Sequence, residues 1–173
     1  MTLIYEFENN GTTMVSQGNT AEGLCFGYSV VWCTKMDRYR GQNALLTRPD
    51  QHEAFPLQQR VEQIDADWRE SVQKVVRGRG HTCGAQLKRN FAVVPNHIAL
   101  AKANFIIDIG DHWVAASSKG GSYSFFDANE GMTTFKDADE FMAGVTTRLK
   151  SYKNDPDPGN GWEDTHNIYQ VDA

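Results

Sequence analysis

Leu57, Val61, Ile64, Trp68, Val72 and Val75 recur at steps of three and four residues. That period lays one apolar stripe along an α-helix. It predicts a helix from Pro56, whose fixed φ suits a first helical turn, to about Arg77, where Gly78-Arg79-Gly80 breaks it. Leu24, Tyr28 and Val31 form a second stripe, with Trp32 and Met36 on another face. They predict a helix from about Thr20 to Tyr39, buried on most sides. Asn19 or Thr20 would cap its start, and Gly41 its end. Phe141, Val145 and Leu149 mark a third helix over Phe135 to Lys150, opened by the polar residues Lys136 to Glu140.

Elsewhere the apolar residues run together, as strands do. Leu3 to Phe7 reads as a short strand or an arm; extended segments are predicted at Phe91 to Val94, Ile98 to Leu100 and Phe105 to Ile109, with Asn167 to Val171 as a closing edge strand. Two apolar runs flank Lys119-Gly120-Gly121 and predict a hairpin. Residues 42–55, containing His52, and Asn154 to Gly161 read as loops, and His166 as a surface residue.

The length, 173 residues, fits one domain spanning residues 1–173 and suffices for a real core. A net charge of -5 argues against nucleic acid as the main partner, because phosphate binding needs a basic surface. No apolar run approaches the roughly 20 residues that span a bilayer, and the first residues do not form a Sec signal peptide. The three cysteines, Cys25, Cys33 and Cys83, suggest neither a disulfide framework nor a zinc site, and fit a reducing compartment.

Cys25 is the first chemical candidate. It sits near a predicted helix start, where free N–H groups and the helix dipole favour a thiolate. A lone cysteine is commonly a small core hydrophobe, so a nucleophile needs a histidine and an acid elsewhere. The hairpin supplies both. With Lys119 and Gly120 at its turn, His112 falls directly opposite Asp127, about 5 Å away between Cβ atoms. With Gly120 and Gly121 there, His112 lies diagonal to Asp127, roughly 7 Å away on the same face. Only an odd-length loop or a bulge would separate them. Such a carboxylate fixes the imidazole tautomer and turns the other ring nitrogen toward a thiol. His81 and Cys83, two residues apart, lack a supporting acid or helix start.

Gly23-Leu24-Cys25 with Trp32, a lone His opening a strand, and Phe125-Phe126-Asp127-Ala128-Asn129-Glu130-Gly131 together resemble the YopT/AvrPphB-type cysteine peptidases. In the last motif Ala128 stands where the family has proline. The resemblance implies a papain-like α+β fold, with an N-terminal catalytic-cysteine helix packed on an antiparallel sheet of about four to six strands. It implies Cys25 as nucleophile, His112 as general base and Asp127 as orienting acid. Asn19, or alternatively Gln17, would donate to the oxyanion, with no metal and no cofactor. The family's habit is that of a bacterial effector or toxin without a Sec signal. Such a protein is delivered by a specialised secretion system into a target-cell cytoplasm, with a protein substrate there and a cognate inhibitor or immunity protein as a further partner. A glutamine deamidase or transglutaminase would use the same triad, and a non-catalytic binding module would use Cys25 as core.

Overall fold

The computed structural model describes residues 1–6, 13–16, 19–22, 25–38, 53–54, 56–58, 68–110, 112–153 and 164–173. Its strands are β1 (Thr2–Glu6), β2 (Thr13–Ser16), β3 (Asn19–Glu22), β4 (Thr82–Cys83), β5 (Leu87–Asn90), β6 (Asn104–Asp108), β7 (Trp113–Ser117), β8 (Tyr123–Asp127), β9 (Gly131–Phe135) and β10 (Thr165–Asp172). Its helices are α1 (Cys25–Arg38), α2 (Trp68–Gly78), α3 (Val94–Ala101) and α4 (Ala138–Lys153). Short helical stretches lie at 53–54 and 56–58.

An eight-stranded sheet runs β1-β9-β8-β7-β6-β10-β4, with β5 also on β10. Every one of its pairings is antiparallel. The central strands are buried on both faces, which is why they read as unbroken apolar runs rather than as alternation. Ile106, Trp113, Ala115, Phe126 and Tyr169 face one core, shared with α1, α2 and the stretch around Ala54 and Leu57. Phe105, Ile107, Val114, Ala116, Phe125 and Ile168 face a second core, closed by α3 and α4. Trp32 stacks on Phe126 in the first core with ring centroids 5.6 Å apart. Phe141 meets Phe135 edge-on at 5.5 Å in the second.

Several sequence expectations change. The first helix begins at Cys25, not Thr20, because residues 19–22 pair with β2, Val15 against Thr20 and Ser16 against Asn19. Strand pairing there replaces the expected N-cap. The strands expected at Phe91–Val94 and Ile98–Leu100 give way to a turn and α3. Pro95 lies in the first turn of that helix, and Val94 and Ile98 bury one helical stripe. β10 is not an edge: it lies between β6 and β4, and His166 on it is buried rather than exposed. The sheet has eight strands rather than four to six, because β1, β4 and β5 extend it. The long amphipathic helix is seen at 56–58 and as α2. Residues 59–67, Gly41, His52 and the loop Asn154 to Gly161 lie outside the described residues.

Candidate active site

Three elements converge at one end of the sheet. α1 begins on Cys25, β7 begins one residue after His112, and β8 ends on Asp127. Cys25 packs against the core that α1 covers. Asp127 pairs with Val114, whose side chain lies in the core that α4 covers. The two groups therefore belong to opposite layers and can meet only where the sheet stops, which is where His112 stands.

The hairpin register is the diagonal one. Val114 opposes Asp127 and Ser117 opposes Ser124, so His112 shares Asp127's face, one diagonal step away. Gly120 and Gly121 both take positive φ in the connecting loop, which glycine tolerates without strain. A tight turn delivers His112: Gly110 adopts φ 121, its N–H donates to Asp108 Oδ1 at 3.0 Å, and the Ile109 N–H donates to the His112 carbonyl at 3.1 Å. Asp127 shapes its own turn, without the family's proline. The Asn129 N–H donates to its Oδ1 at 2.8 Å, the Glu130 N–H donates to its carbonyl at 3.0 Å, and Gly131 closes the turn at φ 118.

His112 Nε2 lies 2.9 Å from Asp127 Oδ1. The side chains are 14% and 2% exposed, so this pair is shielded from solvent. Cys25 also lies within electrostatic reach of the ring and favours its protonated form. With Nε2 committed to Asp127, Nδ1 is the nitrogen left for the thiol. Burial works against the imidazolium, but the hydrogen bond to Asp127, with the charges of Asp127 and Cys25, outweighs it and pushes His112 from 6.5 up to about 10. Burial opposes ionisation of Asp127 too. The hydrogen bond and charge of His112, with donors from Tyr152 and Asn129, still hold its carboxyl far below the usual range.

The start of α1 is fixed from outside the helix. Phe26 packs edge-on against Trp113, beside His112, with centroids 4.9 Å apart. The Gly27 N–H, one of the donors that a helix start leaves without an intrahelical partner, donates to Oε1 of buried Gln58 at 3.1 Å. The Ser29 hydroxyl donates to the Cys25 carbonyl at 2.7 Å. Cys25 is only partly buried, whereas Cys33 and Cys83 are buried, and all three are free thiols. Burial pushes the Cys33 thiol far up and that of Cys83 up to about 11, so neither ionises at neutral pH.

The sequence reading missed the second layer of the site. From α4, the Tyr152 hydroxyl and Arg148 Nη2 both donate to Asp127 Oδ2, the latter at 3.3 Å. Arg148 also pairs with Glu130. The two residues stand at i and i+4, the one signal that could have joined them, but the predicted helix stopped at Lys150, short of Tyr152. Gln58 gave no signal, since its partner is 31 residues away. Asn19 stands in β3, six residues before Cys25, and Gln17 lies outside the described residues. Among the described residues, no group of His, Cys, Asp and Glu could hold a metal ion. No described helix is long and apolar enough to cross a membrane.

Comparison with known proteins agrees with this architecture. No curated protein matches the sequence. The crystal structure of the Pseudomonas avirulence protein AvrPphB aligns with a TM-score of 0.66 at 15% identity, over 87% of this chain and 92% of that one. PatoxP, a cysteine protease-like domain of the Photorhabdus asymbiotica toxin PaTox, aligns with a TM-score of 0.53 at 14% identity, over 87% of this chain and 48% of that one. At such identities these likenesses show the fold, which is papain-like. The family model for peptidase C58, described as Yersinia/Haemophilus virulence surface antigen, matches residues 58–157, a span that holds His112 and Asp127 and starts beyond Cys25. With more than half of its length matched, this chain belongs to the peptidase C58 family and carries the fold of that family's cysteine peptidases.

Proposed function

We propose that this protein is a thiol endopeptidase that acts as a bacterial effector or toxin on a protein of a target cell. The observation that carries this is the position of His112, hydrogen-bonded to buried Asp127 and within electrostatic reach of Cys25 at a helix start. Cys25 Sγ attacks the carbonyl carbon of an amide, with its proton on the imidazole. The tetrahedral oxyanion is met by the Cys25 backbone N–H and the side chain of Asn19, with Gln17 as the alternative donor. The imidazolium then protonates the leaving amine, leaving a thioester on Cys25. His112 takes a proton from water, the hydroxide adds to the thioester, and Cys25 leaves as thiolate. Asp127 holds the ring and its charge throughout.

Family membership supports the effector role; delivery by a specialised secretion system and a cognate inhibitor or immunity protein are part of the same proposal. The test is iodoacetamide labelling of the native protein at neutral pH with mapping of the modified cysteine, beside His112→Ala, followed by incubation with target-cell lysate. Labelling of Cys25 ahead of Cys33 and Cys83, lost in His112→Ala, and new protein N-termini in the lysate are expected. Equal, slow labelling of all three, unchanged by the mutation, would make Cys25 a packing residue and remove the catalytic assignment. Glutamine converted to glutamate without new N-termini would instead assign a deamidase.

A further inference from the structure

We infer that Tyr152 and Arg148 of α4 are positioning residues for the acid of the proposed triad: they hold Oδ2 of Asp127 so that Oδ1 stays aimed at His112. The inference rests on the triad proposed above. The carboxylate is fully subscribed. Oδ1 accepts from His112 Nε2 and the Asn129 N–H, and Oδ2 accepts from the Tyr152 hydroxyl and Arg148 Nη2. The Tyr152 hydroxyl in turn accepts from Arg148 Nε at 3.2 Å, and the guanidinium carbon lies 5.1 Å from the centre of the Tyr152 ring. The pair is thus braced as a unit before it reaches the acid. Burial and the Asp127 charge push the Tyr152 phenol well above 10, so it remains a donor.

Two further observations make the clamp more than packing. The Tyr152 ring meets the His112 ring edge-on, with centroids 5.8 Å apart, so one side chain touches both base and acid. Beside Asp127, between β8, β9 and α4, lies a cavity of about 320 Å³ whose lining includes Asp127, Arg148, Thr133 and Phe135. Asp127 borders that space. The two α4 donors hold Oδ2 in place, and a rotated carboxylate would no longer align with Nε2.

The test compares wild type with Tyr152→Phe, which deletes one hydroxyl and keeps the ring against His112, and with Arg148→Lys, which keeps the charge but loses the fork. Two quantities are read: the rate of Cys25 alkylation by iodoacetamide, and the downfield proton resonance of His112 Nε2–H, assigned by its loss in His112→Ala. Tyr152→Phe is expected to slow alkylation about tenfold, the worth of one hydrogen bond to a charged group, and to shift the Nε2–H resonance upfield, with the melting temperature nearly unchanged. Arg148→Lys should fall between, and it carries the test if Tyr152→Phe does not fold. A wild-type Cys25 that is activated, with both variants matching it in rate and resonance, overturns the clamp and leaves the triad standing. Slower alkylation with an unmoved resonance also overturns it, since Tyr152 would then act through packing alone. A wild-type Cys25 that is not activated removes the triad and this inference together.

Discussion

His112 carries the charge balance of the site, and its protonation makes two measurements sensitive to pH. Its folded value, about 10, lies above its ordinary 6.5. The stabilisation from its imidazolium is therefore complete below pH 6.5 and is lost as the pH rises through about 10. The stability gap between wild type and His112→Ala should be widest in slightly acid solution and close toward alkaline pH, as read by urea unfolding across that window. Asp127→Asn removes the carboxylate that holds the proton. The proton on His112 should then be lost at a lower pH, closer to 6.5, which an NMR titration of the ring would show. Gln58 works differently. It satisfies a helix N–H away from water, and Gln58→Ala should cost about 1–3 kcal/mol because a buried donor is left unmade. Thermal or urea unfolding measures that cost.

At the level of elements, α1 starts where it does because a strand stops ahead of it and Gln58 closes it from across the fold. Gly27 permits the close approach. A Cβ there would meet the Ala54 carbonyl oxygen at 2.2 Å, backbone against backbone. Gly27→Ala must move either the helix or the backbone at Ala54, and should destabilise the protein by about 2 kcal/mol despite the better helix propensity of alanine. If that variant melts at or above the wild-type temperature, the contact does not hold α1. The hairpin was legible because its side-chain period is two. Any even number of residues between the last paired positions, here Ser117 and Ser124, keeps His112 on Asp127's face, and the observed diagonal register was one of the two expected. α3 was not legible as a helix: eight residues carry too few turns for the period to separate it from a short apolar strand.

Among the described residues the main sheet carries a core on each face, and stability should follow both. Phe126 lies fully buried between Trp32 and the sheet, one residue from Asp127. Phe126→Ala should cost about 3–5 kcal/mol through lost burial and the cavity left behind. That is a large share of the roughly 5–15 kcal/mol that holds a typical domain together. A drop in the urea midpoint with an unchanged slope would show it, and a loss under 1 kcal/mol would mean the core had collapsed around the gap. The layered arrangement also explains the three cysteines. Cys33 and Cys83 are sealed in the core under α1, while Cys25 stands at its open end.

By itself the sequence determined what depends on neighbours along the chain. The periodic stripes set the faces of α2 and α4, the apolar runs set β6, β7 and β8, and the hairpin's period put a histidine and an acid on one face. The three motif fragments pointed to a family that the match over residues 58–157 bears out. Only the tertiary structure decided what depends on residues far apart. It brought Cys25 from one layer and Asp127 from the other to the same end of the sheet, supplied Gln58 to the helix start, and reached Tyr152 and Arg148 around to the acid. It also placed β10 inside the sheet and buried His166. The physical reason is the same in each case. Local periodicity fixes which way a side chain points from its own element, whereas its partner is chosen by the packing of elements, which no short stretch of chain encodes.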